Sequence, residues 1–247
     1  MYCVVTRGIA FDEAGCLTDR DRPMSVVGSM SSHRPFEYQE TSHEKVAAYN
    51  KKPRGKVKSH RFREAPFGSY RYVLLELEHI ETARLIYGEP QTDEEISWNG
   101  KFYEFRLRYD AILRLMEESE FDPRNDKIII DAFQKPGIMM RQISLGWQRQ
   151  YGDPIARSRI ECKTKADEKY PIVNAVDENA NRLLYRFRNR DDFKDVPRPW
   201  EANEVQLTAD DMMRFNLNRH RQREARKRIK ETQESEACAE DLQFAVA

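Results

Sequence analysis

The residues that can form a hydrophobic core are concentrated in the middle of the chain. Leu, Ile, Val and Phe account for 30 of residues 71–187, but for only 12 of residues 1–70 and 10 of residues 188–247. Segments with few apolar residues and many charges do not bury enough surface to fold alone. The sequence therefore predicts a polar, basic N-terminal arm (1–69), a core domain (70–200) and a C-terminal basic helix with an acidic tail (201–247).

Alternating apolar and charged residues predict β-structure in this core. Large apolar side chains at every second position of 103–109 alternate with Glu and Arg, as in a strand with one buried face. Asn99-Gly100 before this segment is typical of a two-residue hairpin turn. A second hairpin is predicted from segments 170–176 and 182–188, which flank a polar turn. Further strands are predicted at 70–78, 127–133 and 158–164.

Two capping signals predict helices. Asp110 precedes a segment in which apolar residues recur at helical spacing, which predicts a short helix on the sheet. Thr208 and Asp211 form a capping-box pattern that opens a long C-terminal helix with few apolar residues in its second half. The predicted fold is α+β, with a mainly antiparallel central sheet, a short packed helix, an extended basic arm and a projecting C-terminal helix.

The charge is balanced overall but segregated locally. Lys and Arg number 42, as do Asp and Glu, so the net charge is zero. Segments 45–63 and 214–230 nevertheless carry eight basic residues each, and Tyr49 and Phe62 interleave with the first set. Cations that follow phosphates and aromatic rings that stack on bases are typical of nucleic-acid binding. The predicted contacts are Lys51, Lys52, Arg54, Lys56, Lys58, Arg61, Arg63, Arg219, Arg221, Arg223, Arg226 and Arg228.

One short pattern suggests catalysis. Asp153 precedes a predicted strand that carries Glu161-Cys162-Lys163. This arrangement resembles the motif of the PD-(D/E)xK nucleases, and the resemblance implies that Asp153 and Glu161 hold Mg²⁺ while Lys163 orients a water molecule. The resemblance covers about a dozen residues, and the acid-x-Lys pattern occurs at two other places in this charge-rich chain.

Three functions are consistent with these patterns. The leading hypothesis is a non-catalytic protein that binds RNA or DNA through its two basic segments, as an accessory subunit of a larger nucleoprotein complex. The first alternative is the Mg²⁺-dependent nuclease. The second is a structural or assembly protein of a virion or multisubunit complex, whose polar arms contact other subunits or further copies of the chain. No cofactor is expected, apart from Mg²⁺ under the nuclease alternative.

The sequence also predicts the compartment. The first residues lack the apolar stretch of a secretory signal, and the four cysteines have no spacing typical of disulfide frameworks or zinc sites. No apolar run approaches the roughly 20 residues of a membrane-spanning helix. We therefore expect a cytoplasmic protein with free thiols and no membrane partner.

Overall fold

The computed structural model describes residues 7–19, 21–32, 70–90, 92–98, 100–188 and 202–216. Over these residues six strands form one sheet. The strands are β1 (Gly8–Cys16), β2 (Met24–Ser32), β3 (Tyr70–Glu76), β4 (Lys127–Asp131), β5 (Ile160–Lys163) and β6 (Ala202–Glu204). Their order across the sheet is β5-β4-β1-β2-β3-β6.

Helices cover both faces of the sheet. They are α1 (Leu77–Tyr87), α2 (Asp93–Ile96), α3 (Phe102–Glu118), α4 (Pro136–Tyr151), α5 (Pro171–Arg188) and α6 (Ala209–Phe215), with a 3₁₀ turn at Arg157–Arg159. Helix α5 lies across β1 and β2 on one face, while α3 lies on the opposite face with α1, α4 and α6 around it. In the part of the chain that the structure describes, no helix combines the length and apolar character needed to cross a membrane.

The sheet is mixed, so the predicted mainly antiparallel sheet is only partly right. β1, β2 and β3 pair antiparallel, whereas β4 is parallel to both β1 and β5, and β6 is parallel to β3. Helices α3 and α4 precede β4 and β5 in the chain. A crossover of this kind returns the chain to the same end of the sheet, which parallel pairing requires.

The strands predicted at 70–78, 127–133 and 158–164 are confirmed as β3, β4 and β5, each a few residues shorter than predicted. The predicted capping box of Thr208 and Asp211 is also confirmed, because each side chain bonds the backbone N–H of the other at the start of α6. Helix α6 ends at Phe215. The rest of the predicted C-terminal helix lies outside the described residues.

The hairpin predicted before residue 110 is wrong, because residues 102–118 form helix α3. The prediction assumed that the charged residues face water, but Glu104, Arg106 and Arg108 are 1%, 5% and 6% exposed. Arg108 lies 2.8 Å from Glu104, one turn away, and the two charges neutralise each other inside the protein. A helix that is buried nearly all round has no polar face, so its sequence lacks the helical period.

The second predicted hairpin is also wrong, because 170–176 and 182–188 belong to the single helix α5. Val173, Val176, Ala180 and Leu184 recur at spacings of three and four residues and pack against the sheet. The polar residues taken for a turn lie in the middle of this helix. Five of the ten residues from 172 to 181 are polar, and they obscured the helical period.

The sheet includes segments on both sides of the predicted boundary at residue 69. β1 and β2, from the predicted arm, lie at the centre of the sheet and are largely buried. Their residues on the face that α5 covers include Ala10 and Ala14, which are small and allow the helix to approach closely, and Gly28, over which the end of the Tyr70 side chain lies. Counting Leu, Ile, Val and Phe therefore underestimated the core content of residues 8–32. Residues 33–69 lie outside the described residues.

A buried polar network joins three helices on the α3 face. The carboxylate of Asp110 accepts hydrogen bonds from the hydroxyl of Tyr87 and from the side-chain amide of Asn216, at 2.9 Å for the amide. Arg106 donates to the amide oxygen of Asn216. Burial raises the pKa of Asp110 to about 6, although Arg106 and the two hydrogen bonds oppose the shift.

Asp110 should make the folded protein less stable as the pH rises. A carboxyl whose pKa is higher in the folded state keeps its proton more tightly there, so stability declines as the pH rises from about 4 to about 6. Asp110→Asn should remove this decline, which amounts to about 2–3 kcal/mol. Urea unfolding at pH 4.5 and pH 7 measures it, with the exposed Asp210→Asn as control. Equal pH dependence in wild type and Asp110→Asn would contradict the assignment.

Candidate active site

Two carboxylates lie side by side at the centre of the sheet. β1 and β4 pair in parallel with Phe11 opposite Ile130, so the next residues, Asp12 and Asp131, are neighbours at the same level. Ala10, Asp12 and Ala14 alternate onto the face that α5 covers. Asp131 lies on the same face as Ile129, two residues before it. Adjacent strands are about 4.8 Å apart, which brings the two carboxylates within bridging distance of a cation.

Two further carboxylates reach this place from other elements. Asp167 lies in the turn that follows β5, where Lys165 adopts a left-handed backbone conformation, and its carboxyl lies close enough to that of Asp131 for the Asp131 carboxyl to raise the pKa of Asp167. Asp177 lies in the second turn of α5 and is close enough for repulsion from Asp131 and Asp167. We call Asp12, Asp131, Asp167 and Asp177 the carboxylate cluster.

The cluster is short of positive charge. Burial raises the pKa of Asp12 well above its ordinary value, and repulsion from Glu13, Asp177 and Asp131 raises it further. Burial and neighbouring carboxylates likewise raise the pKa of Asp167 and bring that of Asp177 to about 6. Carboxyl groups that raise one another's pKa are stabilised by a bound cation, and such groups are often functional.

Glu13 adjoins the cluster from the opposite face of the sheet. Its carboxylate accepts a hydrogen bond from Arg108 at 3.2 Å. Arg108 also donates to the backbone carbonyl of Gly15 and forms an ion pair with the carboxylate of Glu104. Burial raises the pKa of Glu13 to about 7, against the lowering effect of Arg108. Glu13 is thus held by a cation of the protein itself. The pKa values of Asp12, Asp167 and Asp177, in contrast, are raised by burial and by other carboxylates.

The donor atoms of the cluster suit a hard divalent cation. Carboxylate oxygens are the ligands preferred by Mg²⁺ and Mn²⁺, while Zn²⁺ sites usually include His or Cys. Among the described residues, no three His, Cys, Asp or Glu side chains are arranged to hold a metal ion by themselves. Mg²⁺ is commonly bound by one or two carboxylates together with water and substrate phosphates, so Asp12 and Asp131 fit such an ion.

Of the three catalytic residues predicted from the sequence, Glu161 and Lys163 contact each other, while Asp153 has another partner. Lys127 and Lys163 both contact Glu161, with Lys127 at 2.8 Å, and the hydroxyl of Tyr170 donates to the same carboxylate. Burial alone would raise the pKa of Glu161, but these hydrogen bonds outweigh it and lower the pKa to about 2. Asp153 is exposed and lies 3.9 Å from Arg124. The structure therefore brings Glu161 and Lys163 together but gives Asp153 a different partner.

The predicted nucleic-acid contacts, Lys51 to Arg63 and Arg219 to Arg228, lie outside the described residues, and they stay predictions. The carboxylate cluster was missed by sequence reasoning, although one signal was available. Asp12 and Asp131 each directly follow apolar residues of a strand, and a carboxylate within a largely buried strand is unusual.

The chain resembles known proteins through solved structures. No protein-family model and no curated protein matches the chain. Two solved structures of Bst-RNase HIII, one of a point mutant and one in complex with Mn²⁺, are 19% and 20% identical to it. Both alignments cover 77% of this chain and 55% of that chain, with a TM-score of 0.41. RNase HII from Archaeoglobus fulgidus, solved with PCNA, is 18% identical over 79% of this chain and 81% of that chain, with a TM-score of 0.39.

This chain therefore spans about half the length of Bst-RNase HIII. The similar structures are of ribonucleases, and the leading expectation of a non-catalytic accessory subunit is contradicted.

Glu161 should contribute to stability and not to catalysis. Its pKa is lowered in the folded state, so its stabilising effect is present above the ordinary carboxyl pKa of 4.5 and is lost as the pH falls toward 2. Glu161→Gln should lower the free energy of unfolding by about 1 kcal/mol at pH 7 and by less at pH 3. Urea unfolding at both pH values measures the difference, with Asp153→Asn as the exposed control. Loss of cation-dependent cleavage in Glu161→Gln, with its fold intact, would instead support the PD-(D/E)xK assignment.

Proposed function

We propose that the protein is a divalent-cation-dependent nuclease whose active site is the carboxylate cluster, with Glu13 beside it. The observation that carries this proposal is the meeting of Asp12, Asp131, Asp167 and Asp177 from four separate elements. Burial and repulsion by the other carboxylates raise the pKa values of Asp12, Asp167 and Asp177. A structural carboxylate such as Glu161 is neutralised by neighbouring lysines. The carboxylates of the cluster instead lie close to one another, and this arrangement favours binding of an external cation.

The chemistry of phosphodiester hydrolysis accounts for this arrangement. Carboxylates alone repel a phosphate, so a cation must lie between them. When bound, Mg²⁺ or Mn²⁺ supplies an electrophile for the phosphoryl oxygen and lowers the pKa of a water molecule. The residues of the chain would hold and orient this cation. Asp12 and Asp131 are side by side on rigid strands, and the backbone N–H of Glu13 fixes one oxygen of Asp12 at 2.7 Å.

A nucleic acid is the proposed substrate because of the two basic segments predicted from the sequence. A site that hydrolyses small phosphoesters needs no cations beyond those at the reacting group. Segments 45–63 and 214–230 carry eight basic residues each, or seven in the second without Arg214, which pairs with Glu117 and Asp211. Such numbers suit several consecutive phosphates of a polynucleotide. In this proposal the basic segments bind the substrate and the cluster cleaves it.

Removing one carboxylate of the central pair should abolish cleavage. Asp12→Asn and Asp131→Asn should each lower activity with Mg²⁺ by more than about 100-fold, since changes beyond the metal ligands already cost 10- to 100-fold. Labelled single-stranded RNA, single-stranded DNA, duplex DNA and an RNA–DNA hybrid, each with Mg²⁺, with Mn²⁺ and with a chelator, provide the assay. Glu168→Gln is the matched control, because Glu168 adjoins Asp167 but forms an exposed ion pair with Lys165.

The cleavage assay is decisive in both directions. Cleavage that persists in both Asn variants comes from another site or from a contaminant. A wild-type protein that cleaves none of the four substrates with either cation contradicts the proposed function. Equal losses in Glu168→Gln and Asp131→Asn would point to general disruption of the turn rather than to a catalytic pair.

The basic arm should act on substrate binding alone. Replacing Lys51, Lys52, Arg54 and Lys56 by Ala should raise KM and leave kcat nearly unchanged, because these cations bind phosphates equally in the ground state and the transition state. The slope of log KM against log salt should become shallower by about 0.7–0.9 for each phosphate that the arm no longer neutralises. Arg124→Ala, which removes an exposed cation outside the arm, is the control. An unchanged slope would exclude the arm from the substrate interface.

A further inference from the structure

Tyr70 has a buried hydroxyl group for which the described residues supply no hydrogen-bond partner. Tyr70 opens β3 and is 2% exposed, and its hydroxyl finds no hydrogen-bond partner in the part of the chain that the structure describes. Burying a hydroxyl without a partner is unfavourable, and each such group in a folded protein calls for a physical cause. A neighbouring acceptor that changes its orientation when an ion binds would satisfy such a hydroxyl.

The hydroxyl lies beside Asp12. In the sheet, Asp12 on β1 is opposite Gly28 on β2, and Gly28 is opposite Tyr72 on β3. The Tyr70 side chain leans over Gly28, so that its hydroxyl fills the space where a Cβ atom of that residue would be. Directly opposed side chains on neighbouring antiparallel strands have Cβ atoms about 4.5–5.5 Å apart. A carboxylate on Asp12 can therefore reach the hydroxyl by a change of side-chain rotamer.

Gly28 is what makes this approach possible. Any larger residue at this position would place its Cβ atom against the hydroxyl of Tyr70. The ring of Tyr70 is also held in place, stacked at 6.2 Å on that of Tyr72. The hydroxyl is thus aimed across the sheet at the carboxylate cluster, in a pocket formed by the absence of a side chain.

We propose that Tyr70 is a positioning residue for Asp12, whose carboxylate accepts a hydrogen bond from the Tyr70 hydroxyl when it binds the divalent cation. The proposal rests on the proposed function, because it takes the carboxylate cluster as the cation site. Tyr70 is too deeply buried to touch a substrate, so it acts through Asp12 alone. One oxygen of Asp12 already accepts from the backbone of Glu13, and Tyr70 orients the remainder of the group.

A tyrosine suits this role because its hydroxyl donates without carrying a charge. A Lys or Arg at the same place would neutralise Asp12 and compete with the cation, as Arg108 does at Glu13. Carboxylates that bind metals are commonly hydrogen-bonded by a second layer of residues, and removal of such a partner typically weakens metal affinity 10- to 100-fold.

Calorimetric titration of the full chain with Mn²⁺ tests the proposal without relying on catalysis. Tyr70→Phe removes only the hydroxyl and should weaken Mn²⁺ binding by about 10-fold. The melting temperature without metal should stay the same or rise, because the unpartnered hydroxyl is gone. Tyr72→Phe is the matched control, because the Tyr72 hydroxyl bonds Glu204 of β6 at 3.3 Å, toward the sheet edge away from Asp12, and should leave Mn²⁺ affinity unchanged.

Gly28→Ala provides a second test through a different atom. Its added methyl group displaces the Tyr70 hydroxyl and should also weaken Mn²⁺ binding, here with some loss of stability. Mn²⁺ affinity within about twofold of wild type in Tyr70→Phe would overturn the proposal, since a partner of a metal ligand typically accounts for at least about 10-fold. Equal weakening in Tyr72→Phe would overturn it as well, because the effect would then belong to the packing of the two rings.

The titration separates this proposal from the nuclease function. A wild-type chain that binds Mn²⁺ but cleaves no nucleic acid would contradict the proposed function, while the comparison of Tyr70→Phe with wild type still decides the role of Tyr70. A wild-type chain that binds no Mn²⁺ overturns both. Asp12→Asn serves as the reference for complete loss of the ligand.

Discussion

The parallel pairing of β1 with β4 is the constraint on which the candidate site depends. The register that aligns Phe11 with Ile130 also aligns the residues that follow them, Asp12 and Asp131. Apolar residues around the two strands hold this register, because a slip of one residue would turn each buried side chain to the other face. Helix α5 and the turn after β5 then add their carboxylates to a pair that the sheet has already fixed.

The acidic side chains in the interior have two kinds of neighbour. Glu104 and Glu161 lie beside Arg or Lys at hydrogen-bonding distance, as do most buried charges in proteins. The carboxylates of the cluster mainly face one another, and burial and repulsion raise the pKa values of Asp12 and Asp177. This arrangement is unfavourable for folding and is tolerated because the surrounding sheet and helix are well packed. Such a local conflict is typical of functional sites.

Local signals predicted a part of the fold correctly. The run of three Ile residues in β4 and the capping box at Thr208 act over a few neighbouring positions, so they can be recognised without knowledge of the tertiary structure. Helix α3 could not be recognised in this way, because its charged residues are buried in pairs. β1 and β2 were missed for a related reason: small residues fill positions that larger apolar residues occupy elsewhere.

The sequence by itself determined three of the strands, the start of α6 and the segregation of basic residues. It also suggested a nuclease, but with different residues. Only the tertiary structure decided which carboxylates meet, because Asp12, Asp131, Asp167 and Asp177 come from separate elements and no spacing along the chain relates them. Their proximity follows from strand register and helix packing, which depend on contacts between residues that are distant in sequence.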